Sequence, residues 1–159
     1  MTKLIVNRRE HEVSIESTER LSTVLRDKLG LLGVRVSCSE GECGSCTVLV
    51  DGKPVTACMM LGLQAEGKEI VTIEGLGTPE DLHPIQQAFI EEQGFQCAFC
   101  TPGFILSAKA FLDENPDPTE DEVAIGISGN ICRCGAYPYI VKAVLSAARK
   151  LRGGAEGIE

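Results

Sequence analysis

The chain is short of what would bind a polyanion, cross a membrane or fill a core with rings. Its 15 basic residues are outnumbered by 23 acidic ones, for a formal charge of -8. Nucleic acids and anionic membrane surfaces draw affinity from an excess of Lys and Arg, so this deficit argues against both as partners. No apolar run approaches the roughly 20 residues of a membrane span. The opening MTKLIVNRREHE turns polar after Val6, without the apolar segment of a secretory signal, so a cytoplasmic location is expected. There are two histidines, His11 in a hairpin and His83 before Pro84, and both read as surface residues rather than ligands. GxGxxG and P-loop motifs are missing too, which leaves no catalytic site to expect in this chain. Aromatics make up only 4% and all lie after residue 88, so an aliphatic core is expected in the first half and aromatic packing in the second.

Against these absences stand eight cysteines in 159 residues. Where thiols are kept reduced, that number points to metal ligation rather than structural disulfides.

The chain divides at EGLGTPEDLHP, residues 74 to 84, where glycine, proline and acid cluster as in a linker. Before it the pattern is β-rich. TKLIVN and HEVSIES flank the turn RRE, with Val13 and Ile15 alternating against polar residues. RLSTVLRDKLG carries Leu21, Val24, Leu25 and Leu29 on one helical face and ends at Gly30, a C-cap residue. CTVLVDGKPVTAC is a second hairpin about the favoured turn Asp51-Gly52, and KEIVTIE is a late strand. Beyond the linker, HPIQQAFIEEQG, TPGFILSAKAFLDENP, PTEDEVAIGISGN and PYIVKAVLSAARKLRGG predict four helices. The second is expected to be capped by Thr101 with Pro102 at its first position. The third carries a Thr119-x-x-Glu122 capping box. The last is expected to start at Pro138, and the tail GGAEGIE to be disordered.

The cysteines form two groups of four. Cys38, Cys43 and Cys46 follow the spacing C-x4-C-x2-C, with Cys58 at the end of the next hairpin. This is the loop spacing of a plant-type [2Fe-2S] ferredoxin. Three thiolates from one loop must reach two irons while the backbone wraps the cluster. Gly41 and Gly44 permit that wrapping and let amide N–H groups approach the sulfurs. Structural zinc favours two short pairs, which three clustered thiols and one remote thiol do not supply. The second group is Cys97 and Cys100 in CAFC, then Cys132 and Cys134 in CRC, with 31 residues between the pairs. Both pairs directly precede predicted helices, whose N-termini favour thiolate anions. Spacing alone leaves zinc and a [2Fe-2S] cluster equally open here.

Taken together, CSEGECGSCTVLVDGKPVTAC, QCAFCTPG and GNICRCGAYPYI resemble the two-cluster iron-sulfur subunit of the molybdenum hydroxylases, the xanthine oxidase family. The likeness runs from the first hairpin to the last helix. It implies an α+β fold: a β-grasp [2Fe-2S] ferredoxin-like domain, residues 1–76, followed by a four-helix [2Fe-2S]-binding domain, residues 77–159. It implies an outer cluster on Cys38, Cys43, Cys46 and Cys58 and an inner one on Cys97, Cys100, Cys132 and Cys134. The inner site would face molybdopterin held by a large partner subunit. The outer would face FAD, expected in a medium subunit, or another acceptor, in a dimer of heterotrimers. Electrons would pass inward to outward, and no substrate is turned over on this chain. By the same resemblance Gln96 and Cys134 touch the pterin. Phe95, Phe99 and Phe104 are expected to shield the inner site from water. Arg133, between two ligands, is expected to tune the cluster or to pair with a partner subunit. Many members read C-R-C-T-G-Y, whereas Gly135-Ala136 follows Cys134 here, so the threonine hydroxyl is missing. The rival readings are a free-standing ferredoxin, which needs only the first half, and a zinc-stabilised interaction module.

Overall fold

Alternation of apolar and polar residues builds the first hairpin. In the computed structural model, which describes residues 1–155, β1 (Thr2–Val6) buries Thr2, Leu4 and Val6 on one face and pairs antiparallel with β2 (Arg9–Val13). The turn falls at Asn7-Arg8, one residue earlier than the expected RRE, with both residues at positive φ. Asparagine tolerates that conformation. Its side chain also accepts from Thr72 N at 2.9 Å and donates to Thr72 Oγ1 at 3.0 Å, which anchors the turn to the end of the neighbouring strand of the sheet. Ile15 lies beyond the end of β2 and packs on the core from a loop.

The helical face predicted after Arg20 forms as α1 (Leu21–Thr23) running into a π-helical turn, Val24–Lys28. Leu21, Val24 and Leu25 are fully buried there, and Gly30 ends the segment at φ +71. β3 (Thr47–Val50) and β4 (Lys53–Thr56) pair about Asp51-Gly52, both at positive φ. β5 (Glu69–Val71) then inserts between β1, to which it is parallel, and β3, to which it is antiparallel. The sheet order is β2-β1-β5-β3-β4.

Four helices follow, as the periodicity predicts. In α2 (Pro84–Glu91) the capping residue is His83, whose Nδ1 accepts from Ile85 N at 3.2 Å. His83 is thus a part-buried structural residue rather than a surface one. Burial lowers its pKa, and the nearby Lys109 charge adds to that. α3 (Thr101–Glu114) corrects another expectation. Its N-cap is Cys100, with no side-chain cap bond, and the buried Thr101 Oγ1 has no hydrogen-bond partner among the described residues. α4 (Glu120–Gly126) has the expected capping box: Glu122 N donates to Thr119 Oγ1 at 3.3 Å and Thr119 N to Glu122 Oε2 at 2.7 Å. α5 (Tyr137–Ala155) starts one residue before Pro138 and runs through Gly153. The expected disordered tail is therefore helical as far as Ala155, and its last four residues lie outside the described ones. No helix among the described residues is long and apolar enough to cross a membrane.

Two cores result, one for each half. The first gathers Leu4, Val6, Leu21, Val24, Leu25, Val48 and Ile70 between the sheet and the α1 segment. The second gathers Ile85, Phe89, Phe104, Val123, Ile140 and Val144 between the four helices. β3 is buried on both faces: Val48 and Val50 enter the first core, while Leu49 meets Leu106 and Ala110 of α3 in a small seam cluster. That seam docks the helices against the sheet and brings the two cysteine groups close together.

Candidate metal centres

The first cysteine group sits in the loop between the π-helical turn and β3. Three of its residues, Ser39, Gly41 and Gly44, have positive φ, so the chain coils tightly instead of extending. At Gly44 a side chain is excluded twice over. Its φ is +66, and a Cβ would stand 2.3 Å from the Gly129 carbonyl oxygen. The coil aims backbone donors at sulfur: Glu40 N and Cys43 N each donate to Cys38 Sγ at 3.4 Å. These N–H bonds favour the thiolate and lower the Cys38 pKa to about 6. The β3–β4 register, Thr47 opposite Thr56, carries Cys58 back beside Cys46. Both are buried, and burial raises the Cys46 pKa to about 12.

The second group occupies two loops at the starts of α3 and α5. Cys97, lowered by the Phe99 N–H, and Cys134 lie exposed at the rim; Cys100 and Cys132 are buried behind them. Burial raises the Cys100 pKa to about 12. Burial also pushes the Cys132 thiol up, but donors offset it, first among them Ala136 N at 3.4 Å, so Cys132 ends lowered. All four thiols line one cavity of about 250 Å³, together with Phe99, Arg133 and, from the other loop, Cys43. A larger cavity of about 370 Å³ lies near Val6 and Leu29, with no thiol on its wall.

Within each group the thiols meet two by two. Cys38 lies nearest Cys43, Cys46 nearest Cys58, Cys97 nearest Cys134, and Cys100 nearest Cys132, each close enough to perturb its neighbour's ionisation. Among the described residues, no three His, Cys, Asp or Glu side chains converge as a single ion would need. One zinc ion takes four ligands in one tetrahedron. A binuclear cluster takes two thiolates at each iron, and paired thiols match that demand. The donor set therefore fits [2Fe-2S] at both sites.

The sequence-predicted pterin contacts lie at the exposed rim. Gln96, Cys97 and Cys134 are all exposed, beside Arg133 and Tyr137. The expected aromatic shield is only partly built. Phe104 is fully buried, but Phe95 and Phe99, on the loop that carries Ala98 at φ +61, are 37% and 40% exposed. The Arg35 guanidinium stacks over the Phe99 ring, 5.9 Å from its centroid. Sequence reasoning also missed Tyr137, whose hydroxyl accepts from Cys132 N at 2.8 Å and so holds the backbone of a buried cysteine. It gave no role to Asn130, which is 5% exposed and donates to the Gly44 carbonyl at 2.9 Å. The Gly-Asn-x-Cys signature was the only available hint of that contact.

Comparison with known proteins bears on both loops. A family described as "2Fe-2S iron-sulfur cluster binding domain" matches residues 6–91, and one described as "[2Fe-2S] binding domain" matches residues 72–145. The chain is 46% identical to the nicotinate dehydrogenase small FeS subunit of Eubacterium barkeri, covering 92% of this chain and 94% of that one. It is also 46% identical to the aldehyde oxidoreductase of Megalodesulfovibrio gigas, over 94% of this chain but only 17% of that longer protein. Among solved structures, quinoline 2-oxidoreductase from Pseudomonas putida 86 superposes with a TM-score of 0.91 at 39% identity, covering 96% of both chains.

Proposed function

The chain belongs to the small [2Fe-2S] iron-sulfur subunits of the molybdenum hydroxylase family, and from that premise we propose which residues hold each cluster and which face meets which partner. Its role is electron transfer within a heteromeric oxidoreductase; its cofactors are two [2Fe-2S] clusters, with the molybdenum cofactor in partner subunits. When bound, such clusters accept and release single electrons. Relatives are whole small subunits matching both halves of this chain, which sets aside the free-standing ferredoxin.

In our reading, Cys38, Cys43, Cys46 and Cys58 ligate the outer cluster and Cys97, Cys100, Cys132 and Cys134 the inner one. The observation that carries this is the two-by-two meeting of the eight thiols. Gln96 and Cys134 take the pterin contact that the family resemblance implies, and both are exposed at the inner rim where a partner can reach them. Phe95, Phe99, Ile131 and Tyr137 are exposed apolar side chains on the same two loops and form the seat of the large subunit. That subunit completes the water-excluding wall which Phe104 begins. The outer loop faces a medium FAD-binding subunit, and the assembly is a cytoplasmic dimer of heterotrimers. Residues 1–76 and 77–159 act as the ferredoxin-like and helical domains. The substrate is met on the large subunit and belongs to the classes the family handles: aldehydes, purines, N-heteroaromatics, carbon monoxide or aromatic thioesters.

The test uses the intact complex and one substrate addition. Cys43→Ala removes the outer cluster but leaves molybdenum reducible by substrate in a single turnover, followed by its EPR signal. Cys134→Ser instead slows electron exit from molybdenum. If Cys43→Ala prevents substrate from reducing molybdenum, the assignment of inner and outer sites is wrong.

A further inference from the structure

The outer loop is held partly by the helical half. Ile131 N donates to the Cys43 carbonyl at 2.9 Å, and Asn130 Nδ2 donates to the Gly44 carbonyl at 2.9 Å. Thr47 holds the same Gly44 oxygen from the sheet side, through its N–H at 3.1 Å and its hydroxyl at 2.7 Å. These contacts fix two carbonyls on the side of the loop facing the seam. In a planar trans peptide the N–H points opposite to the C=O. Pinning the Cys43 and Gly44 carbonyls therefore turns the Gly44 and Ser45 N–H groups the other way, into the coil of cysteines. Neither N–H has a backbone acceptor among the described residues. Gly44 at φ +66 keeps the two successive amides on one concave side, the form of an anion-binding nest.

We propose that Asn130 is a positioning residue for the outer cluster: from the helical half it orients the Gly44 and Ser45 amides toward the outer-cluster sulfurs, and so raises that cluster's reduction potential. The inference rests on the ligand assignment proposed above. Hydrogen bonds to cluster sulfurs favour the more negative, reduced state, so losing them lowers the potential. Asn130 itself touches no outer ligand; it acts through the Gly44 peptide. Packing leaves it little alternative, since a Cβ on Gly44 would meet Asn130 Nδ2 at 2.7 Å, and one on Gly103 would meet it at 3.1 Å.

The test is an EPR-monitored redox titration of the purified complex, with the outer signal identified by its loss in Cys43→Ala. Asn130→Ala removes the donor without adding charge. Thr47→Val removes the hydroxyl donor to the same oxygen, keeps the side-chain shape, and lies away from the inner site. In each, the reduction equilibrium of the outer cluster falls about tenfold, or about 59 mV for one electron, while the inner cluster stays within about twofold. Hyperfine couplings of 15N-labelled backbone amides to the outer cluster weaken in parallel. If Asn130→Ala fails to fold, Thr47→Val decides the matter. A wild type without iron overturns the underlying assignment. A wild type with two clusters, whose outer potential and 15N couplings ignore the variants, overturns this inference alone, as does a shift confined to the inner cluster.

Discussion

Gly103→Ala sets helix propensity against packing at the seam between the two loops. Gly103 lies in the first turn of α3, where alanine is the better helix former by about 1 kcal/mol. Its missing Cβ, however, would stand 2.4 Å from the Gly44 carbonyl oxygen and 3.2 Å from Ser45 Cα. Both are backbone atoms of the outer loop, and neither can swing aside as a flexible side chain would. Relieving a contact that short requires α3 or the loop to move, and overpacking of that kind costs about 3 kcal/mol at the upper end. The net is destabilisation by about 2 kcal/mol, a fall of about 4–8 °C in melting temperature for a chain of this size. The assay is the apparent melting temperature of the cluster-loaded protein at one scan rate, with Gly153→Ala as the control. Gly153 is exposed in α5 with nothing near its absent Cβ, so alanine there leaves the melting temperature unchanged or slightly higher. A rise in melting temperature for Gly103→Ala would refute the close approach of α3 to the outer loop, and with it the coupled arrangement of the two sites.

Tyr137→Phe leaves Cys132 N without its acceptor, at a cost of about 1–3 kcal/mol; faster loss of the inner cluster to a chelator is expected, with the outer cluster's rate unchanged. Leu106→Ala empties a fully packed position between α3 and β3, and should destabilise by about 2–5 kcal/mol in denaturant melts. A loss under 1 kcal/mol would mean that the helices do not depend on the sheet for their docking.

What could be read from the sequence was local. The Asp51-Gly52 turn, the Thr119 capping box and the four helices all depend on residues close in the chain, and they appear as expected. The first hairpin moved by one residue because its turn is chosen by Asn7 bonding to Thr72, 65 positions away. Thr101 looked like a cap, but the backbone of CAFC continues into the helix, so Cys100 takes the cap position. The Asn130–Gly44 contact spans 86 positions, and only the folded seam reveals it. Phe95 and Phe99 flank the CAFC cysteines and were expected to shield that site from water, yet on this chain they line a surface.

Metal analysis of the purified subunit tests the central claim most directly, through iron and inorganic sulfide assayed on the same sample. Two [2Fe-2S] clusters require about four irons and four sulfides per chain, and two distinguishable EPR signals after dithionite reduction. Zinc in place of iron, or a single signal at full iron loading, would contradict it.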